Sequence, residues 1–244
     1  MKKIFFILAL MALGLQTTNA QWWGGNKKIK GNGNMKTETR KVSNYDKIEL
    51  EGSMNVELVA GTEGNLKVAA EENLLEYILT EVSGDELKIS TEKGYNLDPS
   101  GNNKITVTVP FKDLSRVSLT GSGDIRTRDR ITAENFEIKI TGSGDIKLPL
   151  QAKNVRASIT GSGDIDLIGS AKDFDCKVTG SGDISAFDFK CENVDATVTG
   201  SGDIQVYASE ELRAKIPGAG DIQYKGNPKK EDFKTVGIGS ISKK

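Results

Sequence analysis

Histidine is missing altogether from the 244 residues. No imidazole can therefore act as a general base or bind zinc, which removes the commonest routes to hydrolase and zinc chemistry. Cysteine is almost absent too: the two that occur, Cys176 and Cys191, lie far from the chain start. A lipid anchor on an N-terminal cysteine is thus excluded. Nor does positive charge dominate, with 33 basic residues against 34 acidic ones. Nothing in that balance points to a nucleic-acid partner. After the first twenty residues no stretch is long and apolar enough to cross a bilayer, which takes roughly 20 apolar residues.

Those first twenty residues, "MKKIFFILALMALGLQTTNA", carry two lysines, an apolar run from Ile4 to about Leu15 and a small residue, Ala20, closing a polar stretch. This is the pattern of a secretory signal peptide, with cleavage expected between Ala20 and Gln21. Removing Lys2 and Lys3 leaves 31 basic residues against 34 acidic, a net charge of −3. The protein is expected to be exported to the periplasm, the outer cell surface or the medium. In the leader that follows, "QWWGGNKK", Trp22 and Trp23 could cap the first coil, or stack on a sugar or a membrane interface.

What the chain has in excess is one hexapeptide. "TGSGDI" occupies Thr120–Ile125, Thr141–Ile146, Thr160–Ile165, Thr179–Ile184 and Thr199–Ile204, with eroded copies "PGAGDI" at Pro217–Ile222 and "VGIGSI" at Val236–Ile241. The leading glycines are 21, 19, 19, 20, 18 and 19 residues apart. A near-constant period of this size signals a solenoid. The same ruler finds weaker copies upstream: "IKGNGNM" at Ile29–Met35, "EGSMNV" at Glu51–Val56 and "SGNNKI" at Ser100–Ile105. Nearly the whole chain reads as one array: a signal peptide 1–20, a leader 21–30 and one domain 31–244, irregular over 31–110 and regular over 111–241.

Between motifs the residues alternate with period two, as in Phe136-Glu-Ile-Lys-Ile140, Val155-Arg-Ala-Ser-Ile159 and Phe174-Asp-Cys-Lys-Val178. β-Branched and aromatic residues at that period are strands with one buried face. A coil of about 19 residues cannot bury that face alone, but coils stacked at about 4.8 Å close a continuous core and pair their backbones in parallel. The expected fold is all-β: a parallel β-helix, right-handed because parallel crossovers usually are. The motif isoleucines, Ile125 to Ile222, should stack inside it, each contributing roughly 1.5–3 kcal/mol of burial. Cys176 and Cys191 fall in two different inward columns of small residues, where they read as buried hydrophobes; a disulfide is possible in an oxidising compartment. One interruption, "EENLLEYILTEV" at Glu71–Val82, places Leu74, Leu75, Ile78 and Val82 at helical spacing and predicts a short inserted helix.

Three readings compete for the hexapeptide. Gly121 and Gly123, Gly142 and Gly144, Gly161 and Gly163, Gly180 and Gly182, Gly200 and Gly202, Gly218 and Gly220 would permit a tight bend, with Ser and Asp side chains accepting backbone N–H groups there. One corner geometry in every coil would require one sequence. Alternatively Asp124, Asp145, Asp164, Asp183, Asp203 and Asp221 form a ladder of carboxylates about 4.8 Å apart, repelling by about 3–4 kcal/mol at a protein surface. Cations could offset that repulsion, making the chain a calcium-dependent surface module. Extended Thr, Ser and Asp rows could instead face a glycan or ice, although paired glycines favour a bend.

These residues also carry a resemblance. The reiterated "GSGDI", the opening "GNGNMKTETRKVSNYDKIELEGSMNVEL" and the closing "VGIGSI" resemble the secreted bacterial family "putative auto-transporter adhesin, head GIN domain", over roughly residues 30–241. The resemblance implies a β-helical cell-envelope protein of Bacteroidetes type with an adhesin role. It also implies that Asp and Asn interchange at the fourth motif position, as at Asn34 and Asn55, which favours a turn over metal ligation. The chain closes on "SISKK" without the amphipathic strands of an autotransporter barrel, so self-export is not expected.

Some β-helices degrade polysaccharides, building a cleft from long loops and paired carboxylates. From Gly121 onward no interval exceeds 21 residues and the carboxylates lie in a line, which leaves nothing for a loop-walled cleft. The expected protein is a non-enzymatic adhesin-like or scaffold solenoid without a cofactor, binding a glycan or an envelope component. Lys229, Lys230, Lys243 and Lys244 are expected to be solvated, blunting the last sheet edge.

Overall fold

The computed structural model describes residues 26–244; the cleavage site and the two leader tryptophans lie outside them. From Arg116 onward each repeat folds into one coil that hydrogen-bonds in parallel to the next, and with the strands of the first third, some of them antiparallel, they make one seventeen-stranded sheet among the described residues. The register is that of the sequence repeat. Ile131–Gly142 pairs with Asp145–Gly161, that strand with Ile165–Gly180, and that with Ile184–Gly200, motif glycine against motif glycine. The fold is a β-solenoid.

Alternation then decides what is inside. Ile125, Ile146, Ile165, Ile184, Ile204 and Ile222 stack in register and are fully buried. On the opposite wall run three more inward columns, headed by Phe136, Ile138 and Ile140. Cys176 sits in the second of these, between Ala157 and Ala196. Cys191 sits against Ala171 in another column. Both thiols are free and buried, and burial pushes them up, that of Cys191 to about 12.

The first third of the chain departs from the expected order. Coil 47–60 lies in the middle of a sandwich of coils: Lys47–Gly52 pairs with Arg116–Gly121 on one side and with Glu86–Thr91 on the other. "EGSMNV" therefore does occupy the motif column, with Gly52 on Gly121 and Asn55 on Asp124. "SGNNKI" does not: Val107, not Ile105, pairs with Val56, and residues 100–103 form a turn closed by Asn103 N–H donating to Ser100 O. "IKGNGNM" is no coil either, because Lys27–Lys30 pairs with Tyr95–Asp98 and Met35–Lys41 runs antiparallel to Asn65–Glu71. In both cases glycine and asparagine serve a local loop instead of a stacked corner.

Those two loops close around Glu71. Its buried carboxylate accepts Gly33 N–H (2.8 Å), Ser100 N–H (2.9 Å), Asn103 Nδ2 (2.9 Å) and the Ser100 hydroxyl. The Ser100 hydroxyl leads these donors in holding the carboxyl down at about 2. Gly31 passes so close that an added Cβ would lie 1.4 Å from a carboxylate oxygen. The predicted helix is shorter than its apolar spacing suggests. Glu72–Tyr77 is a single 3₁₀ stretch burying Leu74 and Leu75, and Ile78–Ser83 is a strand antiparallel to Glu86–Thr91. Sheet pairing captures Ile78 and Val82 before a second helical turn can form.

Candidate functional site

Two surfaces of the coil could carry function, and the hexapeptide corner is the first. Gly121, Gly142, Gly161, Gly180 and Gly200 all adopt φ between 128° and 135°, which side-chain-bearing residues rarely do. Their partners two residues on have no left-handed φ but no room: a Cβ on Gly163 would lie 2.1 Å from Gly144 O. In the eroded copy Gly218 leaves the left-handed region, yet its added Cβ would still meet Gly200 O at 2.3 Å.

The predicted aspartates stack as expected and are then used up locally. Asp164 N–H donates to the Asp145 carboxylate (3.2 Å), Asp183 N–H to Asp164 (2.9 Å), Asp203 N–H to Asp183 (2.7 Å) and Asp221 N–H to Asp203 (2.8 Å). Each carboxylate thus caps the next coil. At the far end Ser240 gives Asp221 both its N–H and its hydroxyl. Asp124, at the near end, takes Arg126 instead (2.7 Å). No group of three or more His, Cys, Asp or Glu side chains among the described residues is arranged to hold a metal.

The second surface is a groove that sequence reasoning missed, because it needs no long loop. Away from the hexapeptide, the stacked coils line an open groove of about 770 Å³ that runs across successive rungs. One wall is a polar row, Asn135, Asn154, Asp173, Asn193 and Glu211, in register through five coils. Its amides bridge rung to rung, Asn154 to Asn135 at 2.8 Å and Asn193 to Asp173 at 2.7 Å. Beneath lie Phe136, Val155, Phe174 and Val194. The other wall is a row of mixed charge: Arg116, Glu137, Arg156, Asp175, Asp195 and Arg213. Arg156 meets Asp175 at 3.3 Å and Arg116 meets Glu86. At its end Lys47 donates to Asp85 (2.6 Å), which holds the ammonium above its ordinary value. The repeat period could have revealed this row, since Asn135, Asn154 and Asn193 recur at the same place in the coil. Chemically the groove offers amides, carboxylates and guanidinium groups at rung spacing, suited to hydrogen bonding along an extended chain. No helix among the described residues is long and apolar enough to cross a membrane.

Residues 44–228 match the family model described as "Putative auto-transporter adhesin, head GIN domain". Solved structures of the same shape come from Bacteroidetes. A "putative adhesin" from Bacteroides fragilis is 27% identical with a TM-score of 0.81, covering 88% of this chain and 100% of that one. A "putative lipid binding protein" from Parabacteroides distasonis is 33% identical with a TM-score of 0.74, covering 89% and 100%. A "putative adhesin" from Parabacteroides merdae, at 24% identity and a TM-score of 0.70, shares the fold over 89% and 99%. No curated protein matches the chain.

Proposed function

Because the chain belongs to the "putative auto-transporter adhesin, head GIN domain" family, we propose that it is an exported, non-enzymatic adhesin-like solenoid whose groove receives an extended glycan of the envelope or of a neighbouring cell. The groove itself carries this reading: a polar row repeated at rung spacing presents the same hydrogen-bonding groups again and again to a polymer lying along the axis. A repeating ligand suits a repeating surface. The adhesin relatives support the same reading, as does the signal-like start of the chain. The lipid-binding description of one relative suits the groove less well, since its walls are polar and it is open along its length, whereas an acyl chain needs an enclosed apolar space. The hexapeptide glycines and aspartates are assigned to the corner, not to a ligand, and residues 31–244 to a single domain.

The test uses protein recovered from the exported fraction of expressing cells, screened against a panel of immobilised glycans. Asn154→Ala combined with Arg156→Gln alters one half-buried and one exposed groove side chain and should weaken any glycan bound there at least tenfold with little change in the melt. Full retention of binding would remove the groove from the reading. Release of reducing or unsaturated sugar ends would replace it with an enzyme.

A further inference from the structure

The register of the stack shifts most sharply between two successive coils. Coil 180–200 is 20 residues long and the next, 200–218, only 18, and the mismatch is concentrated on one face. Ser185 pairs with Gln205 and Lys190 with Tyr207, so that four residues, Ala186 to Phe189, stand opposite Val206 alone. The excess is anchored inside by Phe189, fully buried and edge-on to Phe174 at 5.3 Å. Phe187 turns outward. It overhangs the shorter coil, since its ring lies 4.4 Å from the ammonium of Lys225, two coils further on. Below the overhang Tyr207 carries Lys190 at 4.0 Å from its ring, and Lys190 also donates to Phe187 O (3.0 Å). Ile168, half-exposed at 53%, adjoins the bulge in register with Asp188.

Several independent oddities therefore meet on one ledge. The two lysine–aromatic contacts found among the described residues are both here. In the outward row the sequence runs Thr132, Gln151, Ser170 and then Lys190, Tyr207, Lys225, so polar side chains give way to aromatic and cationic ones where the bulge begins. Neither Lys190 nor Lys225 has a carboxylate within 4.0 Å among the described residues, whereas nearby Lys147, Lys215 and Lys229 do. Core packing requires none of these outward side chains.

We propose that this ledge binds an acidic sugar residue, its carboxylate between Lys190 and Lys225 and its apolar face against Phe187, Tyr207 and Ile168. The two lysine backbones stand two rungs apart, about 10 Å, which spans one sugar ring with its charged substituent. Aromatic surface beside a cation is the combination a pyranose with a carboxylate uses. A bare inorganic anion would leave the apolar part idle. A lipid tail would leave the paired cations of Lys190 and Lys225 without a partner. The site does not depend on the groove: it shares no residue with it.

The experiment titrates the exported protein with four probes by calorimetry and by ring-proton NMR: a glucuronate-containing tetrasaccharide, its neutral glucose counterpart, polyglutamate and phosphatidylglycerol vesicles. The acidic tetrasaccharide should bind at least tenfold more tightly than the neutral one and should shift the Phe187 and Tyr207 ring resonances. Lys190→Gln with Lys225→Gln, both exposed positions, should abolish that preference while leaving the melt unchanged, and Phe187→Ala should weaken the acidic sugar tenfold. The groove variant Asn154→Ala/Arg156→Gln should bind the acidic probe normally, so the two sites fail separately. Equal binding of the neutral sugar, equal binding of polyglutamate or vesicles, or no effect of the lysine substitutions would each overturn the proposal.

Discussion

Substituting Gly163 by Ala puts one methyl group where two coils touch. Its φ is not left-handed, so the backbone itself tolerates alanine. The obstacle is the neighbouring coil: the new Cβ would lie 2.1 Å from Gly144 O and 3.1 Å from Gly144 C and N. A carbon and a carbonyl oxygen do not approach within about 3 Å, so the coils must part locally by about 1 Å. The bonds across that gap are Ser162 N–H to Gly142 O at 2.8 Å, Gly163 N–H to Gly142 O at 3.2 Å and Ile146 N–H to Asp164 O at 2.9 Å. Overpacking of this kind costs about 1–3 kcal/mol, and weakening two such hydrogen bonds adds about 1–2 kcal/mol. The expected loss is about 2–5 kcal/mol, read from urea unfolding followed by circular dichroism. Ser162→Ala, one residue away and exposed, is the control and should stay within about 0.5 kcal/mol of the parent. If Gly163→Ala behaved like Ser162→Ala, close approach of the coils would not be the reason for glycine at this position.

Glu71 is held down at about 2 from its ordinary 4.5, so its contribution is complete above pH 4.5 and is lost as the pH falls from there toward 2; amide exchange in Lys27–Lys30 and Tyr95–Asp98 should accelerate over that window before the regular coils open. Cys176 and Cys191 should react with a disulfide reagent only as fast as the chain unfolds, and rapid labelling of the native protein would contradict their burial. Asp183→Asn keeps an oxygen for Asp203 N–H and relieves repulsion from its neighbours, so it should not lower stability, whereas Asp183→Ala removes the acceptor and should leave the protein about 1 kcal/mol less stable than Asp183→Asn in the same urea assay. A melting temperature that fell sharply with chelator, and was insensitive to chelator in Asp183→Asn, would make the ladder a cation site instead.

Where the repeat is strict, sequence and structure correspond residue by residue. The period located the coils, the alternation located the core columns, and Cys176 and Cys191 lie beside the small residues with which their positions align. Both rest on the same physics: parallel in-register stacking makes position in the repeat equal to position in space. The first third breaks that equation. Glycine and asparagine recur there at almost the right interval, but in Gly31–Asn34 and Ser100–Asn103 they serve loops wrapped around Glu71. A spacing rule cannot distinguish a glycine needed by a neighbouring coil from one needed by a carboxylate. The helix over Glu71–Val82 was misjudged in length for a related reason, since Ile78 and Val82 satisfy helical spacing and strand pairing alike, and the long-range partner Glu86–Thr91 decides. The groove was invisible because concavity comes from how bends stack, not from any inserted loop.

The hexapeptide and the outward rows answer to different constraints. From Asp145 onward each corner carboxylate takes an N–H from the following coil, and in the final described coil the aspartate is replaced by Ser240, which donates twice to Asp221. Asn55, on the other side of Asp124, keeps an acceptor and omits the charge. An array selected for cations would have reason to keep its carboxylates at both ends, whereas an array of caps can lose them where they cap nothing. Residues that hold coil to coil must repeat, because every interface between coils presents the same backbone. A ligand imposes no such requirement on the outward side chains, which are free to differ from rung to rung. The two proposed sites follow that division: the groove wall changes charge from Arg116 to Arg213 while its floor stays apolar, and the ledge arises where one coil is longer than the next. The groove keeps the repeat along its polar row and varies it along its charged one, the ledge lies where the repeat is broken, and stability resides in what every coil shares.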